Sequence, residues 1–343
     1  MKIGIIGYGI VGSTLAYYLS KNDAYTIDVY DDNILSGTKA AVGIVCPWVT
    51  QRRNKAWYEL VESGANFYSK LIEDLDDKSF LRDTGAYIMH DKLHDKLLNL
   101  ANGRLETNPL MESVISIESS DKIPQDFKFN KAIEVTGAFS VDGLKFLESI
   151  KRKTENVNFI EAHATLTSRT SINNIEYDKI FICAGARHQD ILKDIDIKID
   201  AYAQKGMLLR FEHPQNNYGI LMPQGEIDFL YNEDELIIGA SHENDYEHTD
   251  FDVNIANNLI SQAERYMKLP HHNYTYRIGL RSHNSKNLPY FGNLDSNPNM
   301  YIVGGLGSSG LSSGPIIGYL LSDHIINNTE LDKRYDVTNF IIE

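Results

Sequence analysis

The apolar positions of the chain change period several times, and each change predicts an element. Lys2 to Ile6 reads as a buried strand, and Val11, Leu15, Tyr18 and Leu19 then recur at helical spacing. Between them, Gly7, Gly9 and Gly12 stand at the positions of a G-x-G-x-x-G turn. "YTIDVYDDN" supplies a second strand ending at Asp31. "EYDKIFICAGARHQDIL" repeats the grammar, with a strand at Ile180 to Cys183, an Ala184-Gly185-Ala186 turn and a helix. "MYIVGGLGSSGLSSGPIIGYLLSDHI" repeats it again, with Gly304, Gly305, Gly307, Gly310 and Gly314 before a helix expected from near Pro315. The middle of the chain differs: "GMLLRFE", "IDFLY" and "ELIIGAS" are short β-type runs between polar turns. "FDVNIANNLISQAERYMKL" has helical spacing at Ile255, Leu259 and Ala263.

The three opening glycines have separate tasks. One permits the tight turn, one lets backbone approach a pyrophosphate, and one lets helix and strand pack closely, while the helix N-terminus offers N–H groups to the phosphates. Asp31 stands where a carboxylate can accept ribose hydroxyls, and Asp32, pointing to the opposite face of the strand, is expected to be solvated. A cleaved leader would need a small-residue cleavage site, but "SKNDAYTIDVY" runs straight into the next strand. The motif alone fits NAD or FAD. The late glycine run, a backbone surface suited to a flat ring, favours FAD, and Gly185 marks a further close approach to the cofactor.

Composition narrows the partners. With 33 Lys and Arg against 47 Asp and Glu, the formal charge of -14 argues against nucleic acid or an anionic membrane surface. Cys46 and Cys183 lie far apart in apolar runs, which fits a reducing cytoplasm, and the eleven histidines show no metal-binding spacing. No stretch predicts stable membrane insertion. A chain of 343 residues has room for two domains.

These stretches, together with "SGTKAAVGIVCPW", "LIIGASHEND" and "YRIGLRSHNSKNLPYFG", resemble the FAD-dependent amino-acid oxidases of the glycine oxidase, D-amino-acid oxidase and sarcosine oxidase family over essentially the whole chain. "GIVCPWVTQRRNKAWY" is similar to an uncharacterised bacterial branch. The resemblance implies a Rossmann-like α/β FAD-binding domain from residues 1–75, 140–200 and 275–343, and a second, α+β substrate domain with an antiparallel sheet from 76–139 and 201–274. It implies that Asp31 holds the adenosine ribose, that Thr38 and Lys39 approach the diphosphate, and that Ala41 and Gly43 line the flavin. Gly305, Gly307, Ser308, Ser309, Gly310 and Leu311 would cover its pyrimidine end. Some members attach flavin through a cysteine after the matching G-x-R segment; here that stretch is "RSHNSK", which implies non-covalent FAD.

Flavin-dependent amine oxidation asks the protein for positioning and electrostatics rather than a nucleophile. Arg281 is the expected anchor for a substrate carboxylate, because guanidinium can hold it through two parallel hydrogen bonds. The family arginine in the matching "GLRP" segment plays that role in several members, and Ser282 here replaces the usual proline. Arg277 is read as structural. Trp48 is a candidate pocket wall, His242 with Glu243 a candidate pocket contact, and Gln51, Arg52 and Arg53 a basic patch. The expected reaction is oxidation of the C–N bond of a small amino acid or secondary amine to an imine, with oxygen or another acceptor taking the electrons. An NAD-dependent dehydrogenase and a non-catalytic flavoprotein sensor or assembly factor are the alternatives.

Overall fold

The computed structural model describes residues 1–50, 54–213, 218–225, 227–269 and 273–342, so the basic patch expected at Gln51, Arg52 and Arg53 lies outside the described residues. One sheet has six strands in the order Tyr290–Leu294, Asn297–Gly304, Lys179–Ile182, Lys2–Ile6, Thr26–Asp31 and Val157–Glu161. All neighbours are parallel except the first pair. Its central strands are apolar on both faces, as parallel strands covered by helices must be: Ile3, Ile5, Ile180, Phe181 and Ile182 are buried.

The helices are α1 (Ile10–Leu19), α2 (Lys55–Leu75), α3 (His94–Leu105), α4 (Gly143–Lys153), α5 (His188–Leu192), α6 (Val253–Ala263) and α7 (Gly310–Asn327). Small residues bring three of them close. A Cβ at Gly314 of α7 would stand 2.4 Å from the Ile10 side chain of α1, and one at Gly64 of α2 would stand 1.9 Å from the Ser312 carbonyl. α7 begins at Gly310, five residues before the start expected at Pro315. A proline inside a helix removes the donor for the carbonyl four residues back, here that of Leu311. The buried Tyr68 hydroxyl of α2 donates to that carbonyl at 2.7 Å, so the helix extends past the proline.

A second sheet has eight strands in the order Thr275–His283, Tyr202–Glu212, Glu235–Gly239, Asp228–Asn232, Ile220–Pro223, Ala86–Met89, Ala132–Val135 and Val114–Ile117. Its pairs are antiparallel except where Ile220–Pro223 meets Ala86–Met89. Alternation gives it two faces. Met207, Leu209, Phe211, Phe229 and Ile238 pack against Ala256, Leu259 and Ala263 of α6. Leu208, Leu230 and Ile237 face the other way, into the core shared with the six-stranded sheet. The strand that carries Arg281 pairs within this larger sheet.

Candidate active site

A cavity of about 520 Å³ opens between the two sheets, at the carboxyl ends of the parallel strands, where Ile6, Tyr30, Asp31, Cys183 and Val303 reach its wall. At its nucleotide end the chain turns at Gly7, whose φ of +99° leaves its N–H donating to the Tyr30 carbonyl at 2.7 Å. Gly12 packs α1 against the turn, since a Cβ there would lie 2.0 Å from the Gly7 carbonyl oxygen. Gly9 lines the cavity at the start of α1, and the buried Thr38 hydroxyl beside it accepts the Ile10 N–H at 2.9 Å. The helix end is therefore tied to the following loop while its first turn faces the cavity.

Asp31 also lines the cavity, and its carboxylate is fixed by the N–H groups of Tyr8 and Asn33, each at 2.6 Å. Both oxygens retain lone pairs for ribose hydroxyls. Asp32 is not solvated as expected. It sits in the cavity wall and accepts from Arg187 at 2.8 Å and from His163 at 3.0 Å. Burial opposes its charge, but the His163 and Arg187 hydrogen bonds outweigh that and hold its carboxyl below the usual range. Lys39 is also corrected. It is absent from the lining because its ammonium turns to the Asn33 side chain, while its carbonyl accepts from Arg277 at 3.2 Å. Arg277 thus has the structural role expected of it.

Ala41, Gly43, Gly185, Gly307, Ser308, Ser309, Gly310 and Leu311 line the cavity together. Gly185 has φ +59°, and a Cβ on it would meet nothing within 4 Å, so its backbone is open to a ligand. Gly305 stands behind the loop rather than in the lining, and its N–H donates to the Ser282 hydroxyl at 3.0 Å. Trp57 of α2 donates to the Ser309 hydroxyl at 3.2 Å, so α2 fixes the glycine loop at Ser309 and at Leu311.

At the other end, Arg281 lays its guanidinium over Gly206, where a Cβ would stand 2.6 Å from Nη1. Nη1 donates to the Gln204 side-chain oxygen at 3.1 Å and to the Ser241 carbonyl at 2.9 Å. Burial lowers its pKa from the ordinary arginine value, with Glu243 opposing that effect. His242 lines the cavity, whereas Glu243 turns to a buried ion pair with Lys205 at 3.2 Å. Trp48 is corrected from pocket wall to core. Its turn, Pro47–Val49, is clamped by Arg104, which donates to the Pro47, Trp48 and Thr50 carbonyls, and the indole is fully buried outside the cavity lining.

Sequence reasoning missed Asp228 and Met222, both in the lining. For Asp228 a signal existed. In "IDFLY" the alternation places it on the face of Leu230 and opposite Phe229, an acid on an apolar face. Among the described residues no group of three His, Cys, Asp or Glu is placed to hold a metal, and no helix is long and apolar enough to cross a membrane.

The donor set fits FAD. Asp31 suits the ribose, the α1 N-terminus and Thr38 loop the diphosphate, and the open backbone at Gly185 with the Gly307–Leu311 stretch of the lining a flat ring. The family model described as "FAD dependent oxidoreductase" matches residues 2–324. The uncharacterized oxidoreductase YurR of Bacillus subtilis is 28% identical, with 97% of each chain covered. Iminodiacetate oxidase from Chelativorans sp. BNC1 superposes with a TM-score of 0.90 at 23% identity and 98% coverage of both chains. Glycine oxidase from Geobacillus kaustophilus superposes with 0.84 at 14% identity and 99% coverage of both. The match removes the NAD alternative: the chain belongs to the FAD dependent oxidoreductase family.

Proposed function

We propose that this enzyme oxidises the C–N bond of a small amino acid or a secondary amine bearing a carboxylate. The observation that carries the reading is Arg281: a guanidinium built into the cavity wall, held by two neutral acceptors, with the remaining nitrogens making no hydrogen bond among the described residues. Its charge is matched by a carboxylate that enters the cavity. Two neighbours in fold are named for amines with carboxylates, iminodiacetate and glycine, which supports the same class.

Bound FAD would supply the acceptor for one hydride equivalent, two electrons with one proton, from the carbon bearing the amine. The protein's part is orientation. Gln204 and the Ser241 carbonyl hold the guanidinium, and the guanidinium holds the carboxylate. The amine loses a proton as its carbon loses hydride, giving an imine that water hydrolyses to an oxo acid and the freed amine. We place cofactor binding on the six-stranded sheet and substrate binding on the eight-stranded one, with non-covalent FAD between them.

The test is an anaerobic absorbance spectrum of the FAD-loaded protein during addition of glycine, sarcosine, D-amino acids and N-substituted amino acids. Bleaching by a carboxylate-bearing amine, and not by its decarboxylated counterpart, is the expected result. Equal bleaching by both would remove the anchor. Readmitting air then shows whether oxygen restores the colour.

A further inference from the structure

Asp228 is an acid with no task in the scheme above. It lies on the cavity side of its strand, paired in register with Gly239 and sharing the lining with Met222 and Cys46. Its side chain is half-buried and opens on the cavity, and among the described residues it makes no hydrogen bond or ion pair. Burial alone pushes its pKa up to about 7. The titratable group across from it is the Cys46 thiol, which burial pushes up to about 12 and keeps neutral. Arg281 and His242 lie further along the same cavity, and Asp31 and Asp32 lie at the nucleotide end.

A half-buried carboxyl that faces a cavity without a protein partner is a poor structural element and a good receptor for a cation. We propose that the substrate carries a second, cationic group that pairs with Asp228 while Arg281 holds its carboxylate, which makes the substrate class basic amino acids or their N-substituted forms. This rests on the carboxylate-anchor reading of Arg281. The register sets the span. The guanidinium lies over Gly206, Leu208 pairs with Gly239, and Gly239 pairs with Asp228. Two strand steps and two residues of offset separate the two groups by about 10–12 Å. An α-amine, attached to the carbon next to the carboxylate, cannot reach across. An amine or guanidine on a chain of about three or four methylenes can. Among the described lining residues at that end, Met222 and the neutral Cys46 thiol offer a cation no charge, and Asp228 does.

The experiment uses the FAD-loaded protein without air and reads the shift of the oxidised flavin spectrum on titration with 5-aminopentanoate and with hexanoate, which differ by an ammonium in place of a methyl. At pH 8 the amino acid is expected to bind about tenfold more tightly or better, with the preference shrinking by pH 6 as Asp228 takes up its proton. In Asp228→Asn, checked for retained FAD by its absorbance, the two should bind within about twofold of each other. Equal binding in the wild type, a preference that ignores pH, or a preference that survives in Asp228→Asn would overturn the proposal. Bleaching by 5-aminopentanoate would put its amine at the ring and also overturn it. If neither carboxylate shifts the spectrum of protein that holds FAD, the Arg281 anchor fails, and this inference fails with it.

Discussion

Tyr68→Phe tests how the glycine-rich loop is held. Pro315 offers no N–H to the Leu311 carbonyl, and the Tyr68 hydroxyl supplies the missing donor at 2.7 Å. Phenylalanine keeps the ring and its edge-on contact with Phe139, at 5.1 Å between centroids, so the change removes one hydrogen bond and little packing. A buried carbonyl left without a donor costs about 1–3 kcal/mol. For a chain of this length that is a fall in Tm of about 1–4 °C, measurable by circular dichroism. Leu311 lines the cavity, so FAD affinity should fall too, read by fluorescence on cofactor release. Pro315→Ala restores a backbone donor, and in that background Tyr68→Phe should cost at least about 1 kcal/mol less. Equal costs in the two backgrounds would show that the hydroxyl does not stand in for the proline's absent N–H.

Arg281→Ala should lower kcat/KM for an amino acid by about 10²–10³, from the loss of two charge-assisted hydrogen bonds, with FAD content unchanged; an unaltered KM would take Arg281 out of the site. Arg281→Lys should recover only a small part of the loss, since lysine keeps the charge without the fork. Asp31→Ala should weaken FAD binding by about 10–100-fold, measured by flavin fluorescence, because it removes the ribose acceptor and frees the Tyr8 and Asn33 N–H groups. Asp228 gives a pH signature. Its folded pKa is raised to about 7, so the folded state holds the proton more tightly, and stability falls as pH rises from about 4 to about 7, by up to about 4 kcal/mol. The Tm of Asp228→Asn apoprotein should therefore exceed that of the wild type at pH 8 and converge with it near pH 4; a gap independent of pH would contradict the assignment.

The nucleotide end was legible because its chemistry is local. A strand, three glycines, a helix and Asp31 lie within the first 31 residues, and backbone geometry alone demands glycine at Gly7. Where a residue's role depended on a distant partner, the reading failed. Asp32 meets Arg187 and His163 from segments more than a hundred residues away, and the Lys39 carbonyl accepts from Arg277, also more than a hundred residues away. Trp48 followed a segment that does cross the cavity, but the three carbonyl contacts from Arg104 turn its ring inward, and nothing near Trp48 in sequence announces Arg104. The start of α7 was misplaced for the same reason: proline rules are local, and Tyr68 answers them from another helix.

The Thr275–His283 strand explains how anchor and cofactor loop are kept in one frame. Arg281 and Ser282 both reach the cavity wall, the guanidinium lying over Gly206 while the Ser282 hydroxyl accepts the Gly305 N–H. The family's usual proline at this position would have no hydroxyl for the Gly305 N–H. Gly305 has φ +71° and no room for a Cβ, with the Asn284 amide 2.2 Å from where one would stand. The loop is therefore pinned at a residue whose conformation is already restricted to glycine. From that point it runs through Ser309 and Leu311, each held by α2, while Arg281, one residue before Ser282, is held by Gln204 and the Ser241 carbonyl. In the proposed scheme, substrate orientation and the ring-facing backbone share one strand as their common support, and a shift of that strand would move both together.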